Sequence, residues 1–250
     1  MRFRLALTVV MLLTPGYLAA RDVQVGIGLS ISPYVIPDEL RGMEYDIAKE
    51  ALALEGHEMK PVFMPLGRVM KSLERGHVDA ALTQRPDQGG KLAFSQVYIT
   101  YRNYAITLAS RNIKVERFDD LSGKSVLAFQ NATHYLGPEF KKVADGNPHY
   151  REEATQVVQP LLLFLGRVDV VIADRNIFGW FSGLPEVKAK VDTTQAIRYH
   201  AIFPPTDYRM AFADPALRDS FDHGLAKLRA SGEYTRILAR YSPLMTEENR

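Results

Sequence analysis

Short apolar runs alternate with helical stripes through the first third of the chain. The segment Val23-Gln-Val-Gly-Ile-Gly-Leu29 alternates as a strand and passes into a polar loop through Pro33 and Tyr34. Between 43 and 54, Ile47, Ala48, Ala51 and Leu52 recur at helical spacing, and Gly56 stops the run. A second strand is expected over 59–64. Pro65 then opens a helix over 67–74 with Val69, Met70 and Leu73 on one face. A third apolar run starts at Ala80, so the order is β-α-β-α-β, which predicts a parallel sheet with right-handed crossovers. Further strands are expected over 104–110, 125–129, 197–203 and 208–213, the first of them carrying the chain out of the first lobe and the third returning it. Helices are expected near 136–143, over 152–165, and over 215–241 with a break at Ser231-Gly232. Pro160 inside the second of these predicts a kink or a late start.

One phrase occurs twice. Leu73-x-x-Gly76-x-Val78-Asp79 returns as Leu163-x-x-Gly166-x-Val168-Asp169. Each copy reads as a helix end, a glycine suited to a left-handed C-terminal cap, and a short strand buried on both faces. Ligands of open α/β sheets bind beyond the carboxyl ends of such strands. The polar residues that close the two strands, Thr83-Gln84-Arg85 and Asp174, are therefore candidates to face a ligand, and two similar halves imply a cleft between two lobes.

Composition narrows the class without naming a chemistry. The 250 residues are 46% hydrophobic and 24% charged, the profile of a globular protein of one or two domains. The absence of cysteine excludes disulfides, thiolate metal sites, a cysteine nucleophile and a lipid-modified cysteine. Arg2 and Arg4 precede an apolar stretch over 5–13, a Pro15-Gly16 break and Ala19-Ala20, which predicts a secretory leader cut near Ala20. Without its two arginines the mature chain carries 29 basic and 29 acidic residues, and no basic stripe points to nucleic acid. The six histidines show no metal-binding spacing, and no Gly-x-Ser-x-Gly turn is present. Gly89-Gly90 reads as a turn.

Taken in order, several motifs resemble one family. They are Gly42-Met-Glu44-Tyr45-Asp46-Ile-Ala48, the two repeated phrases, Ala93-Phe94-Ser95-x-x-Tyr98, Asp120-Leu-x-Gly123-Lys-x-Val126 and Leu228-x-x-x-Gly232-x-x-x-x-Ile237. Together they make the mature chain similar to the family 3 periplasmic solute-binding proteins, the type II Venus-flytrap receptors of ABC importers. The resemblance implies an α/β, two-lobed periplasmic binding protein type II fold, each lobe a mainly parallel sheet flanked by helices, with two crossover strands as hinge. Residues 1–20 would be the leader, 21–106 with 205–250 the first lobe, and 107–204 the second. It further implies a monomeric periplasmic protein that is not membrane-anchored and needs no cofactor, metal or catalytic residue. Such a protein captures a small polar ligand, an amino acid or related organic acid, for an inner-membrane permease.

The family's site carries over position by position. In amino-acid-binding members a Ser/Thr-rich strand end followed by an arginine grips the ligand carboxylate, which a guanidinium does bidentately. Thr83 falls at that strand end. The loop over 79–94 is short and lacks the arginine at its usual place, with Arg85 close by as a substitute. Thr133 matches the second lobe's turn hydroxyl, and Asp174 matches the acid that meets the ligand ammonium. Ile31 stands where an aromatic residue covers the ligand, with Tyr34 three positions on. Pro65-x-x-Arg68 resembles a pattern in less-characterised members.

Each residue also has a plainer reading. Asp174 is either a ligand carboxylate or the N-cap of a following helix. Arg85 holds an anion or lies on a surface loop, and Arg68 is a carboxylate clamp or a solvated helix charge. Thr133 is a ligand donor or a turn hydroxyl, and Tyr34 a cleft wall or core. Asp79 and Asp169 read as structural, and Phe178, Trp180 and Phe181 as packing. Two other functions fit the same scaffold. One is a cyclohexadienyl dehydratase-like enzyme with Asp174 or Glu44 as its acid; the other is a soluble partner that presents ligand to a membrane sensor.

Overall fold

The computed structural model describes residues 21–29, 31–86 and 91–241. The expected leader and the Gly89-Gly90 turn lie outside the described residues.

Two five-stranded sheets carry the fold. The first contains β1 (Asp22–Gly28), β2 (Glu58–Met64), β3 (Ala80–Gln84), β4 (Ala93–Tyr101) and β10 (Thr206–Phe212), in the order β2-β1-β3-β10-β4. The second contains β5 (Asn103–Leu108), β6 (Val126–Phe129), β7 (Tyr150–Glu153), β8 (Val170–Asp174) and β9 (Ile197–His200), in the order β7-β6-β8-β5-β9. In each sheet the strand that follows the repeated phrase pairs in parallel with the unit's first strand and antiparallel with a strand from elsewhere in the chain. The sheets are therefore parallel at one end and antiparallel at the other. Helices α1 (Met43–Ala53), α2 (Leu66–Glu74), α8 (Pro215–Ala230) and α9 (Glu233–Tyr241) accompany the first sheet. Helices α3 (Ala132–Tyr135), α4 (Pro138–Asp145), α5 (Val158–Phe164), α6 (Arg175–Gly183) and α7 (Pro185–Lys188) accompany the second.

The repeated phrase folds the same way in both lobes. Gly76 and Gly166 stand at φ 71° and 67°, the left-handed cap. His77 N–H returns to Ser72 C=O and Arg167 N–H to Leu162 C=O, so each helix closes on a matching bond. The aspartate that follows clamps the neighbouring strand: Asp79 accepts from Gln24 N–H, and Asp169 from Ser125 N–H and Oγ. Both aspartates are structural.

Two glycines set close approaches. Gly42 adopts φ 143°, and a Cβ there would lie 2.4 Å from Tyr34 C=O. In the first turn of α1, Met43 N–H donates to Pro33 C=O, and the amides of Glu44 and Tyr45 both donate to the Tyr34 carbonyl. This contact fixes the loop bearing Tyr34 against the helix start. At Gly224 a Cβ would meet Ala51 C=O at 1.9 Å, so α8 can lie on α1 only because no side chain intervenes.

Three expected elements differ. The helix expected over 152–165 is late: Glu152 and Glu153 end β7, and α5 begins only at Val158, with Pro160 in its first turn, where a missing N–H does no harm. The stretch expected over 197–203 ends as strand at His200 and lies in the second sheet, paired with β5. The strand expected to leave the first lobe, 104–110, likewise belongs to the second sheet, as β5, and ends at Leu108, where a 3-10 turn over Ala109–Arg111 begins. The chain changes sheets at Arg102, between β4 and β5, and again over 201–205. Of the aromatic trio, Phe178 packs in the core of the second lobe, while Trp180 and Phe181 pack with Ile177 against the core of the first. Helix α6 is thus an apolar bridge between the lobes.

Candidate functional site

The end of β3 is built around a buried acid. Thr83 has φ 58°, a left-handed conformation that a β-branched residue adopts only when its surroundings hold it there. Its N–H donates to Tyr98 Oη at 3.1 Å and its Oγ1 to Glu44 Oε1 at 2.7 Å. Glu44, 0% exposed, also accepts from the hydroxyl of Tyr98 and, at 2.8 Å, from that of Tyr101. Burial raises the Glu44 carboxyl above its ordinary pKa, and the three hydroxyl donors work against that rise. Three uncharged hydroxyl donors hold this group. The same contacts push the phenols of Tyr98 and Tyr101 well up, through burial first and the Glu44 charge second.

The end of β8 meets the other lobe directly. Asp174, 2% exposed, caps α6 by accepting from Asn176 N–H at 2.8 Å and Ile177 N–H at 3.2 Å. Its other oxygen accepts from Arg102 N–H at 2.7 Å, at the point where the chain passes between sheets. Tyr34 Oη, from the first lobe, lies 3.1 Å from both oxygens and itself accepts from Asn176 Nδ2 at 3.1 Å. The Tyr34 ring stacks on Tyr101 at 3.8 Å between centroids, and Tyr101 meets Tyr208 edge-on at 4.8 Å. A row of tyrosines thus joins the acid of one strand end to the acid of the other. Burial raises Asp174 to about 6 despite its four donors, and it raises Tyr34, with the Asp174 charge adding to the rise.

A third carboxylate closes the turn after β6. Glu152 on β7 accepts from Asn131 N–H at 2.6 Å, from Thr133 N–H and Oγ1 at 3.0 Å each, and from Tyr150 Oη at 2.8 Å. Burial opposes its ionisation. The donors from Thr133, Tyr150 and Asn131 together outweigh that and hold it below the usual glutamate range.

Between the lobes lies a cavity of about 320 Å³. The first lobe contributes Leu66, Met70, Lys71 and Glu74 from α2, Thr83 and Gln84 from β3, and Tyr208 from β10; the second contributes Tyr135. Burial raises the Tyr208 phenol to about 12, opposed by the positive charge of Arg85.

The expected site residues separate into three groups. Thr83 lines the cavity, with Arg85, half-buried, next along the chain and electrostatically felt at Tyr208. Tyr34 and Asp174 come together, but on each other, inside the lobe junction. Thr133 is engaged by Glu152 and borders a separate depression with Lys141, while Arg68 is exposed on α2. Sequence reasoning missed Gln84's neighbours Tyr135 and Tyr208, and the hydroxyl cage around Glu44. A signal for the cage exists: at helical spacing Glu44 falls on the stripe of Ile47, Ala48 and Ala51, an acid on a buried face. Among the described residues no group of three or more His, Asp or Glu is placed to hold a metal ion. No helix there is long and apolar enough to cross a membrane.

The family model of the bacterial extracellular solute-binding proteins, family 3, matches residues 23–243. No curated protein matches the chain. Among solved structures, an ancestral arginine-binding protein bound to glutamine superposes with a TM-score of 0.66 at 20% identity, over 88% of this chain and 97% of that one. An amino-acid ABC-transporter substrate-binding protein of Streptococcus pneumoniae bound to L-arginine gives 0.64 at 18%, over 88% and 94%. A histidine kinase sensor domain with similarity to periplasmic binding proteins gives 0.69 at 16%, over 89% and 96%. At these identities the likeness is one of fold.

Proposed function

Because the chain belongs to the bacterial extracellular solute-binding proteins of family 3, we propose that it is a periplasmic receptor that captures a small polar ligand between its lobes and delivers it to an ABC permease of the inner membrane. The observation that carries this reading is the cavity of about 320 Å³, walled by Thr83, Gln84 and Tyr208 of one lobe and Tyr135 of the other. It sits at strand carboxyl ends, where α/β sheets bind ligands, and has the volume of a small-molecule site. A ligand that touches both lobes at once favours the closed arrangement by its differential affinity, and that arrangement is what a permease would read. Secretion through the leader at 1–20 and release near Ala20 belong to the same proposal, as does the division into two lobes, with the first crossing moved from 106/107 to Arg102 because β5 pairs in the second sheet.

The dehydratase reading asks for an acid that reaches substrate. Glu44 and Asp174 are 0% and 2% exposed and spent on protein donors, which favours binding without catalysis. Mass spectrometry of small molecules released from natively purified protein, followed by calorimetry with the released compound, tests the proposal. A protein that releases nothing and is stabilised by no amino acid or organic acid is not such a receptor.

A further inference from the structure

We infer that the ligand carries an aromatic ring and is clamped between two tyrosines, Tyr208 of the first lobe and Tyr135 of the second, an inference that rests on the binding reading above and deepens it. Both side chains line the cavity, and Tyr135 is the second lobe's contribution to its wall. The turn that bears Tyr135 is held firmly to its own lobe. Ala132 and Leu136 pack into the second-lobe core, and Glu152 accepts from Asn131 N–H and from Thr133 N–H and Oγ1. The Tyr135 ring stays outside that core, half-buried, with its neighbour His134 edge-on at 5.2 Å. Tyr208 is set as firmly in the first lobe. Its ring packs against the core there and meets Tyr101 edge-on at 4.8 Å, and Tyr101 stacks on Tyr34. Burial keeps the Tyr208 phenol neutral near pH 7, and Tyr135 is close enough to add to the rise.

Two rings fixed to different lobes and bordering one cavity make a slot that tightens as the lobes approach. A ring inserted there gains stacked or edge contacts with both phenols beyond the area it buries. Leu66 and Met70 line the same space with apolar surface, and a thioether packs well at a ring edge. The volume, about 320 Å³, suits one ring with short substituents. A ligand dense in hydroxyls fits the wall poorly. Thr83 gives its N–H to Tyr98 and its Oγ1 to Glu44, and Gln84 spends an amide hydrogen on Leu82 C=O. The rest of the Gln84 carboxamide and the two phenol hydroxyls serve one or two ring substituents. Lys71 and Glu74, both exposed on α2, carry opposite charges in water and give the ligand's own charge no sign. Neither tyrosine stands at position 31, where the sequence comparison placed an aromatic cover; Ile31 packs against the first-lobe core.

Four matched pairs test this on the secreted full chain: benzoate with cyclohexanecarboxylate, benzamide with cyclohexanecarboxamide, benzylamine with cyclohexylmethylamine, and L-phenylalanine with L-cyclohexylalanine. Each pair keeps charge and carbon skeleton and changes only whether the ring is aromatic. In calorimetric titrations the aromatic member of at least one pair is expected to bind about tenfold tighter than its saturated partner or better. Tyr135→Phe is expected to keep that preference. Tyr135→Leu, with an apolar side chain but no ring, is expected to lose it while melting as a folded protein. Saturated rings that bind as tightly as their aromatic partners overturn the inference, as does a preference unchanged in folded Tyr135→Leu; either result leaves the receptor reading standing. The wild-type pairs decide even where a variant does not fold. If no member of the panel binds, the molecule released from natively purified protein decides: one with an aromatic ring supports the inference, and one without overturns it. No binding and no released molecule overturn both readings at once.

Discussion

At the end of β3 the chain turns through Thr83 at φ 58°, whereas at the end of β8 it runs into α6 through Asp174 at φ −65°. The two strands follow the same phrase, and up to their last residues they are alike: the same helix cap, the same strand-clamping aspartate, the same burial. They part where polar groups begin. The first end borrows its acid, Glu44, from a different helix, and that acid holds a strained threonine beside the cavity. The second end carries its acid in line and uses it to cap the next helix and to meet Tyr34. In the first lobe the acid shapes a strand end that lines the cavity; in the second it is closed against Tyr34. The phrase specifies the scaffold, and the residue types just after it decide which strand end borders the cavity.

The sharpest way to break this contrast is to empty the first end. Glu44→Ala leaves the hydroxyls of Tyr98, Tyr101 and Thr83 buried without their acceptor, and about 3–5 kcal/mol of stability should be lost. Urea denaturation measures it, and a loss below about 1 kcal/mol would show that Glu44 does not organise the strand end. Thr83 should also relax from its left-handed conformation, which would alter the cavity wall and weaken ligand binding.

Asp174 gives the next largest effect, and it depends on pH. A carboxyl whose folded pKa exceeds its unfolded value binds its proton more tightly in the folded state. Its contribution is therefore greatest below the unfolded value of 3.8 and is lost as pH rises through about 6. The difference amounts to about 3 kcal/mol from the separation of the two values. The stability of the wild type relative to Asp174→Asn should therefore decline over that window, read as the difference between the two pH profiles. Glu44, also raised by burial, adds a falling component to both profiles, and Glu152 and Asp169, held below their ordinary range, add rising ones. A variant with the full wild-type slope would place the titration elsewhere.

Tyr34→Phe removes a single donor from Asp174 while the three backbone amides and the ring stack on Tyr101 remain. The loss should be about 1 kcal/mol by denaturant titration. A much larger loss would mean that the lobe junction depends on this one hydroxyl rather than on Ile177, Trp180 and Phe181.

Much of this contrast is legible in the order of residues alone. The period of the apolar residues gave α1, α2 and the strands, because a helical stripe and a buried run are each one-dimensional signals. The glycine caps and the structural aspartates followed from the same phrase. The residues at 152–165 misled because Leu161 to Leu165 read as helix and nothing local shows that Glu152 belongs to an edge strand. Both roles of Asp174 are legible in its place at a strand end before a helix, but its partner Tyr34 lies 140 positions away, and no local pattern joins them. The cage of Glu44 was invisible for the same reason: Tyr98 and Tyr101 arrive on β4 from another part of the chain. Contacts that span the two lobes are set by tertiary packing, so residue type and spacing could place candidates near the cleft without pairing them.

The finest comparison concerns the two glycines that open the phrase. Alanine at either position must adopt the left-handed conformation, at a cost of about 1 kcal/mol. At Gly76 the new methyl would meet nothing within 4 Å, so that backbone term is the whole effect. At Gly166 it would approach Arg111 Nη2 to 2.8 Å, on a guanidinium that donates to Gly166 C=O at 2.6 Å and to Asp169 at 2.7 Å. That arm is partly exposed and can swing away, giving up a screened ion pair worth a further ~0.5 kcal/mol. Gly166→Ala should therefore be slightly more destabilising than Gly76→Ala in parallel melts at low salt, and the gap should narrow as salt rises. Equal losses at all ionic strengths would mean that the two copies are energetically alike through the cap, and that their difference begins only at Thr83 and Asp174.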